Sequence, residues 1–390
     1  MSIDQPNSKL AVAIIRARYN PYGGAERFVH RALTALAQEQ VALTVIARDW
    51  QSSPIGESLV NVRLHKIDPF YIGRIWRDAS FAQAVTKYLQ QGGFDLVQSH
   101  ERIPGLQIYR AGDGVHAEYL QQRLQAASRF GQYLLRINPF HWFTCRAEAL
   151  MFEHLDLEAV ICNSTMVRDE ILARFRIAPA KLHLVRNGVD LEKFQVPTAE
   201  ERVKARTDLD LPQDVPVFAY VGSGFERKGV ANAIRALAEK NSPQNARLVV
   251  VGDDRKARRY RCLADDCGVG DRVLFAGSLV DVRPVLRAAD GFVLPTLYDP
   301  FPNAVLEALA CGLPVITSPK CGAAELIDQG RNGFVCGAVD TAAIAGHMSE
   351  IMRNPQMRQA ARASAAPYSL KHLAGQLLSL YRSMVAGKTV

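Results

Sequence analysis

Two carboxylates, Asp299 and Glu307, stand in the segment with the strongest chemical signal of the sequence. Asp299 lies in a proline-rich loop after a predicted strand, and Glu307 lies inside the helix predicted to follow. Paired carboxylates suit a hydroxylated ligand, because each oxygen accepts a hydrogen bond from a sugar or ribose OH. Glu307 is flanked by apolar residues, where an unpartnered charge would be costly. We therefore predict ligand binding here; the alternative is a stiff loop with a buried capping acid.

A glycine-bearing turn followed by two cations comes directly after the predicted strand Val217–Val221. Gly222 and Gly224 let the backbone approach a ligand closely, and Arg227 and Lys228 lie at the start of the next helix. Fixed cations beside free helix amides suit a diphosphate and stabilise a phosphate leaving group. The turn lacks the Gly-Lys-Ser/Thr of a Walker loop. We predict a diphosphate site; the alternative is a solvated basic helix start.

Two glycine-containing turns in the first half are further candidates. Gly23 and Gly24 follow the first predicted strand, where their amides at a helix start can meet an anion. Asp113 lies between Gly112 and Gly114, a good position for a catalytic or sugar-binding carboxylate. Either turn can also be purely structural.

Residues 116–146 interleave aromatic side chains with four arginines and contain a single acid, Glu118. Aromatic and arginine residues on a helical pattern can lie on an anionic membrane surface. The alternative is an amphipathic helix packed on its own domain. The residues that we assign to the membrane or the acceptor are Arg123, Arg129, Arg136 and Trp142.

Strand-like and helix-like runs alternate along the chain, which predicts an α/β fold. The strand-like runs are continuous in Val, Ile and Leu, as expected for parallel strands buried on both faces. We predict two doubly wound domains, 1–190 and 191–368, and a last helix in 369–390 that packs either back on the first domain or on the second. An interdomain hinge is expected near 192–216. Ligands are then expected in a cleft between the two sheets, at the carboxyl ends of their strands. The predicted strands are Leu10–Ile15, Val41–Ala47, Val62–Ile67, Asp95–Ser99, Ala159–Cys162, Leu182–Val185, Val217–Val221, Leu248–Val251, Val273–Phe275, Gly291–Leu294 and Pro314–Thr317.

Composition limits the classes of function. The formal net charge of +8 favours anionic partners, and no apolar run is long enough to span a membrane. The start of the chain lacks the pattern of a signal peptide, so a cytoplasmic location is expected. The seven cysteines have no metal-site spacing and predict reduced thiols. The triplet Asp208-Leu209-Asp210 falls in the predicted hinge, so we expect a solvated loop and no metal site.

Taken together, these motifs make the chain resemble the retaining glycosyltransferases of family four, which have the GT-B architecture of two facing Rossmann-like domains. The most specific segment is 299–314, with the run Glu-Ala-x-Ala-Cys-Gly-x-Pro after its acidic loop. Within that family the chain is most similar to lipopolysaccharide core glucosyltransferases. The resemblance implies a UDP-linked hexose as donor, a lipopolysaccharide core or glycolipid as acceptor, and a peripheral location on the inner membrane. The supporting segments are Asn20–Arg27, Ile103–Leu106, Asp113–Glu118 and Val221–Gly229.

The resemblance also implies roles for individual residues. Glu307 would hold the ribose, Asp299 the transferred sugar, and Asp113 the donor sugar or the acceptor. Catalysis would need Asp113, Arg227, Lys228 and Asp299, proceed with retention and require no metal or other cofactor. The donor-binding positions are Gly23, Gly24, Arg186, Gly222, Arg227, Lys228, Asp299, Phe301, Asn303, Ala304 and Glu307. The family usually has Glu at position 299 and often glycine at Pro302, so the donor sugar stays open.

Two other functions fit parts of the pattern. A sugar-nucleotide epimerase acting on UDP-GlcNAc, or a phosphorylase-like enzyme, would share the fold, and an epimerase would need no acceptor. A non-catalytic basic protein that binds nucleic acid would show affinity that falls steeply with salt. The arginines are not concentrated in one run and no nucleic-acid module is recognisable. We therefore expect no nucleic-acid partner.

Overall fold

The computed structural model describes residues 10–19, 41–50 and 62–387, and the chain divides into two compact units. Unit 1 contains the chain up to Asn163, Val167–Arg186 and the segment from Leu370. Unit 2 contains Ser164–Met166 and Asn187–Ser369. The predicted donor-binding residues Gly23 and Gly24 lie outside the described residues.

Unit 1 is built on a seven-stranded parallel sheet in the order β5-β3-β1-β6-β7-β8-β9. A separate two-stranded sheet pairs β2 with β4. The strands are β1 (Leu10–Ile15), β2 (Arg18–Tyr19), β3 (Val41–Ala47), β4 (Asp49–Trp50), β5 (Val62–Lys66), β6 (Leu96–Ser99), β7 (Ile108–Arg110), β8 (Ala159–Cys162) and β9 (Leu182–Leu184). The helices of this part of the chain are α1 (Gly73–Leu89), α2 (His116–Ala126), α3 (Arg129–Ile137), α4 (Pro139–Phe152) and α5 (Thr165–Arg174).

Unit 2 is built on a six-stranded parallel sheet in the order β12-β11-β10-β13-β14-β15. The order reverses between β10 and β13, and such a switch point is where doubly wound sheets bind ligands. The strands are β10 (Val217–Val221), β11 (Arg247–Val251), β12 (Val273–Gly277), β13 (Gly291–Leu294), β14 (Val315–Thr317) and β15 (Gly333–Val335). The helices are α6 (Ala199–Asp208), α7 (Phe225–Lys228), α8 (Val230–Ala238), α9 (Ala257–Asp266), α10 (Arg283–Ala288), α11 (Asn303–Ala310), α12 (Thr341–Arg353) and α13 (Met357–Ala365).

The last helix, α14 (Leu370–Ala386), belongs to unit 1. Its apolar face, which includes Leu373 and Leu377, joins the buried cluster formed by the strands of that unit. The Tyr381 hydroxyl donates a hydrogen bond to the Gln98 side-chain oxygen of β6 at 2.7 Å. The helix is therefore part of the core of unit 1.

The predicted α/β fold class is confirmed, and most predicted strands lie within one or two residues of the observed ones. The predicted strands did not include β7 and β15, each three residues long, or the two-residue strands β2 and β4.

The segment expected to be a hinge is folded into unit 2. Its prolines flank helix α6, which begins with a capping box between Thr198 and Glu201. Arg206 of this helix is buried and donates to the Asp290 carboxylate at 2.8 Å. The exposed Asp208 pairs with Lys204 on the same helix, so the triplet that begins there is solvated, as expected.

Candidate active site

The candidate site in unit 2 lies at the switch point of its sheet. Strands β10 and β13 are hydrogen-bonded neighbours, with Phe218 opposite Gly291. The turn after β10 carries α7 with Arg227 and Lys228, and the loop after β13 carries Asp299. Since both strands are parallel, their carboxyl ends meet at one edge of the sheet, and these three side chains come together there.

Asp299 pairs with both cations through a single oxygen. Its Oδ2 lies 3.2 Å from Arg227 Nη1 and 3.1 Å from Lys228 Nζ. Arg227 Nη1 also donates to the Tyr298 carbonyl at 2.8 Å. Burial raises the pKa of the Asp299 carboxyl, but the Lys228 and Arg227 charges outweigh burial and hold the pKa below its ordinary value. Asp299 is therefore an ionised carboxylate that fixes both cations.

Two glycines shape the turn around this cluster. The stem of Lys228 lies against Gly222, where an added Cβ would come within 2.5 Å of Lys228 Cδ. Gly229 has φ +77° and sits so close to the loop after β13 that a Cβ would lie 2.0 Å from the Pro295 carbonyl oxygen. Only glycine combines that backbone conformation with that approach. The turn therefore holds the stem of Lys228 close to the backbone.

Helix α11 buries the second carboxylate. Glu307 is fully buried, and Phe301, Asn303 and Ala304 at the start of the helix are also buried. The Asn187 side-chain amide donates to Asn303 Oδ1 at 2.7 Å and to the Phe301 carbonyl at 3.2 Å. Because Asn187 spans the two ends of this turn, it ties the motif to the segment where unit 2 begins. The structure thus places the predicted donor-binding residues of this motif on one short loop and helix.

Asp113 lies at the corresponding edge of the unit 1 sheet, after β7. Arg16, directly after β1, approaches two carboxylates: its Nη1 is 3.6 Å from Asp113 Oδ2 and 3.5 Å from Glu101 Oε1. Glu101 Oε1 also accepts from the Ala17 amide at 2.9 Å. Asp113 is thus held by the Arg16 cation at the carboxyl edge of its own sheet, with its side chain 40% exposed.

A buried carboxylate on α4 supports the start of α2. Both Glu148 oxygens accept from the His116 amide, at 2.9 and 3.0 Å, and Glu148 pairs with Arg102 Nε at 2.8 Å. Burial raises the pKa of the Glu148 carboxyl. His116 Nε2 lies 3.0 Å from His141 Nδ1, and burial lowers the pKa of His116 to about 3. The turn that carries Asp113 is therefore attached to α4 at two points.

The remaining predicted residues fall in unit 1. Arg186 is half-buried at the point where the chain leaves this unit. Arg123 lies on α2, where its guanidinium is 5.7 Å from the Tyr119 ring centre. Arg129 and Arg136 are exposed on α3, and Trp142 is exposed on α4.

Three site residues escaped the sequence analysis. Asp254 Oδ2 accepts from the Phe225 amide at 2.9 Å and so closes the glycine turn. Its position after a buried strand, in Gly252-Asp253-Asp254, is the signal that could have found it. Glu148 gave no local signal, because its partners lie far from it in sequence. Tyr298 contributes only its backbone carbonyl, which accepts from Arg227, so its side chain gave no signal either.

In residues 10–19, 41–50 and 62–387, no group of three or more His, Cys, Asp or Glu side chains could hold a metal ion. Within the same ranges no helix combines the length and the apolar character that a membrane crossing needs.

Two family models match successive parts of the chain. Glycosyltransferase Family 4 matches residues 22–193, and Glycosyl transferases group 1 matches residues 201–366. The two doubly wound parallel sheets, one in each unit, have the GT-B fold of the glycosyltransferases. The chain belongs to the glycosyltransferases, with a family 4 domain followed by a group 1 domain, and this confirms the predicted family resemblance.

Individual relatives agree with this placement. The lipopolysaccharide glucosyltransferase WaaG of Escherichia coli strain K12 is 27% identical over 361 residues, which cover 90% of this chain and 89% of that protein. The crystal structure of WaaG, a glycosyltransferase involved in lipopolysaccharide biosynthesis, has a TM-score of 0.79 at 23% identity and covers 96% of this chain and 98% of that one. The Anabaena protein HepE, solved in complex with UDP-glucose, has a TM-score of 0.74 at 18% identity and covers 96% of this chain and 100% of that one.

Proposed function

We propose that this glycosyltransferase moves a hexose, with glucose as the first candidate, from a UDP-sugar to a lipopolysaccharide core or a similar cell-surface glycolipid. The observation that carries the proposal is the trio of Arg227, Lys228 and Asp299 at the switch point of unit 2. The similarity to a lipopolysaccharide glucosyltransferase over nine-tenths of the chain supports the choice of hexose and acceptor.

The cations of the trio are suited to a diphosphate. Asp299 holds both cations in place through one oxygen. A guanidinium carries five N–H donors and an ammonium three, and both groups are suited to phosphate oxygens. Charge-assisted hydrogen bonds of this kind are the strong ones in protein sites. The proposed diphosphate therefore binds to cations that Asp299 has already oriented.

Glu307 is proposed to hold the ribose, and the amides at the start of α11 to face the negative charge of the donor. The first N–H groups of a helix lack partners within the helix, and its N-terminal end favours anions. Glu307 lies one turn further along the same helix, fully buried. A carboxylate at that depth accepts hydrogen bonds from hydroxyl groups without exposing its charge to water.

The proposed mechanism is front-side displacement with retention and without a metal ion. The acceptor oxygen forms its bond to the anomeric carbon on the face from which the nucleotide departs. The bond between that carbon and the phosphate oxygen breaks, and the acceptor proton passes to the departing phosphate. Arg227 and Lys228 stabilise the charge that grows on the phosphate, typically the largest electrostatic contribution in such sites. Asp113 is proposed to act on the sugar or the acceptor.

A donor and acceptor screen tests the proposal. The full chain is incubated with UDP-glucose, UDP-galactose, UDP-GlcNAc and GDP-mannose, with and without a deeply truncated lipopolysaccharide, in buffer with EDTA. The expected product is a glycolipid heavier by one hexose, with the α-configuration of the donor by NMR. An inverted product would overturn the retaining mechanism, and loss of turnover in EDTA would overturn metal independence. Acceptor-independent epimerisation of UDP-GlcNAc would instead establish the epimerase alternative.

We further propose that unit 1 binds the cytoplasmic face of the inner membrane through α3. The exposed apolar side chains of this helix follow helical spacing, so they share one face: Phe130, Tyr133, Leu134 and Ile137. Arg129 and Arg136 flank that face, and Trp142 is 69% exposed on the next helix. An apolar stripe edged by arginines suits the interface of an anionic bilayer.

Vesicle cosedimentation tests this membrane contact. The variant with Arg123, Arg129 and Arg136 all changed to Gln should bind phosphatidylglycerol-containing vesicles at least about tenfold more weakly, because each surface cation contributes about 1 kcal/mol. The matched control removes three exposed arginines from unit 2, Arg255, Arg258 and Arg259. Equal vesicle binding by the unit 1 variant and the wild type would contradict the proposed membrane contact.

A further inference from the structure

A second apolar surface of unit 1 lies on the turn between β5 and α1 and on the first turn of α1. Phe70 is 74% exposed, Ile72 69% and Trp76 49%. The rings of Phe70 and Trp76 meet edge-on at 5.7 Å. Large side chains exposed next to each other are uncommon on the surface of a single globular unit and mark a contact with a partner or a membrane. We call these three residues the turn patch.

The turn patch sits on a rigid support. The Arg48 guanidinium is buried beneath the turn, and its Nη1 donates to Asp68 Oδ1 at 2.8 Å and to the Pro69 carbonyl at 2.9 Å. Its Nη2 donates to the Arg77 carbonyl at 2.9 Å. The same guanidinium lies 4.6 Å from the Tyr71 ring centre. The exposed residues therefore project from a turn that is fastened on both sides, and their exposure is built into the fold.

The turn patch is continuous with the α3–α4 surface. Arg74, in the first turn of α1, places its guanidinium 5.7 Å from the centre of the Phe140 ring. Phe140 lies in the first turn of α4, just after α3 ends and two residues before Trp142. One cation thus joins the turn patch to the corner between the two helices.

The charge around both surfaces has the same sign. Residues 62–80 carry four Lys or Arg side chains and two Asp, and residues 116–146 carry four Arg and one Glu. Cations beside exposed aromatic and aliphatic side chains match an anionic bilayer, where the rings enter the interface and the cations meet the headgroups. The same sign on both surfaces disfavours their docking on each other in a second copy of the chain.

We propose that the turn patch is a second membrane anchor, which enters the interface of an anionic bilayer together with α3. This proposal rests on the membrane contact proposed above. A contact through one nine-residue helix restrains the tilt of the protein on the surface only weakly. A second contact on a fixed turn restrains that tilt and sets the orientation of unit 1 toward an acceptor in the same bilayer.

Tryptophan quenching by brominated lipid tests the second anchor. The chain has three tryptophans, so changing Trp50 and Trp142 to Phe leaves Trp76 alone, and changing Trp50 and Trp76 to Phe leaves Trp142 alone. Both proteins are titrated with phosphatidylcholine–phosphatidylglycerol vesicles brominated near the headgroup end of the acyl chains. We expect quenching and a blue shift of Trp76 as well as of Trp142.

The outcomes separate the two membrane proposals. Quenching of Trp142 without Trp76 would overturn the second anchor and leave the α3 contact standing, whereas quenching of neither would overturn both. A blue shift of Trp76 that grows with protein concentration in the absence of lipid would assign the turn patch to self-association and overturn the proposal.

A pair of substitutions measures the strength of the second anchor. Changing Phe70 and Ile72 to Ser should weaken vesicle binding by about tenfold or more, because it removes two large apolar side chains from the buried contact. The matched control is Leu155→Ser, which removes an exposed leucine just before β8, at the opposite edge of the unit 1 sheet. Binding of the double variant at the level of that control, with an unchanged melting temperature, would contradict the proposal.

Discussion

Replacing Lys228 with Met should lower the turnover number of sugar transfer by about a hundredfold or more. The structure gives the reason: the Lys228 ammonium is held 3.1 Å from Asp299 at the switch point, where it faces the proposed phosphate leaving group. Removing one charged or polar donor from such a site costs about 10²–10³ in kcat. A hundredfold loss corresponds to about 2.7 kcal/mol of transition-state stabilisation.

The same substitution should leave the fold intact. Methionine keeps most of the side-chain stem that lies against Gly222. Asp299 keeps its partner Arg227 at 3.2 Å, so the buried carboxylate does not lose its only cation. The free energy of unfolding should therefore fall by about 1.5–3 kcal/mol, the net value of one hydrogen bond to a charged group, which leaves the protein folded.

The assay is steady-state transfer from the donor that the screen identifies, with urea unfolding of each protein in parallel. Lys204→Met is the matched control, because Lys204 also pairs with an aspartate, Asp208, of the same unit, but both of those side chains are exposed. The control should keep wild-type turnover, since exposed pairs contribute little. Turnover of Lys228→Met within about threefold of the wild type would refute the site, because loss of a transition-state contact costs about a hundredfold or more.

Three further predictions concern the support of the two sites. Gly222→Ala should lower turnover by about tenfold, because the added Cβ would lie 2.5 Å from Lys228 Cδ and would displace the Lys228 side chain. Steady-state kinetics measure this loss, and a normal rate would show that the side chain adjusts without cost. Asp299→Asn should be less stable than the wild type at neutral pH. Because the folded-state pKa of Asp299 is lowered, the difference in the free energy of unfolding should shrink as the pH falls below about 4. Urea unfolding measures this difference, and a value that stays constant with pH would contradict the prediction. Glu148→Gln should lower the free energy of unfolding by about 2 kcal/mol, since the neutral amide removes the charge that balances Arg102, and an unchanged urea midpoint would exclude that role.

The sequence was most informative about unit 2. Its strands are continuous apolar runs, and Val217–Val221 is buried at every position. The glycines of the turn after β10 and the prolines of the loop after β13 then mark both sides of the switch point. The sequence did not reveal which side chains pair with each other across the switch point. Asp299 was expected to contact sugar hydroxyls, and its contacts with Arg227 and Lys228 depend on how β10 and β13 align.

Unit 1 was harder to predict, because its site depends on contacts between residues distant in sequence. Strand β7 is three residues long and ends in the buried Arg110, so neither length nor hydrophobicity identified it. Glu148 binds Arg102 and the His116 amide, both far away along the chain. The hinge predicted near 192–216 was wrong for a different reason, because the prolines of this segment flank helix α6 and do not form a linker.

The carboxylate at position 299 has opposite effects on the two stages of the proposed reaction. Its charge competes with the donor diphosphate for Arg227 and Lys228, which weakens binding of the ground state. Yet the same contacts hold both cations in place before the donor arrives, and preorganised charges need no rearrangement when negative charge grows on the leaving phosphate. Only interactions that are stronger in the transition state raise the rate of the chemical step. In the proposed reaction, Asp299 therefore lowers the affinity for the donor and raises the rate of the chemical step.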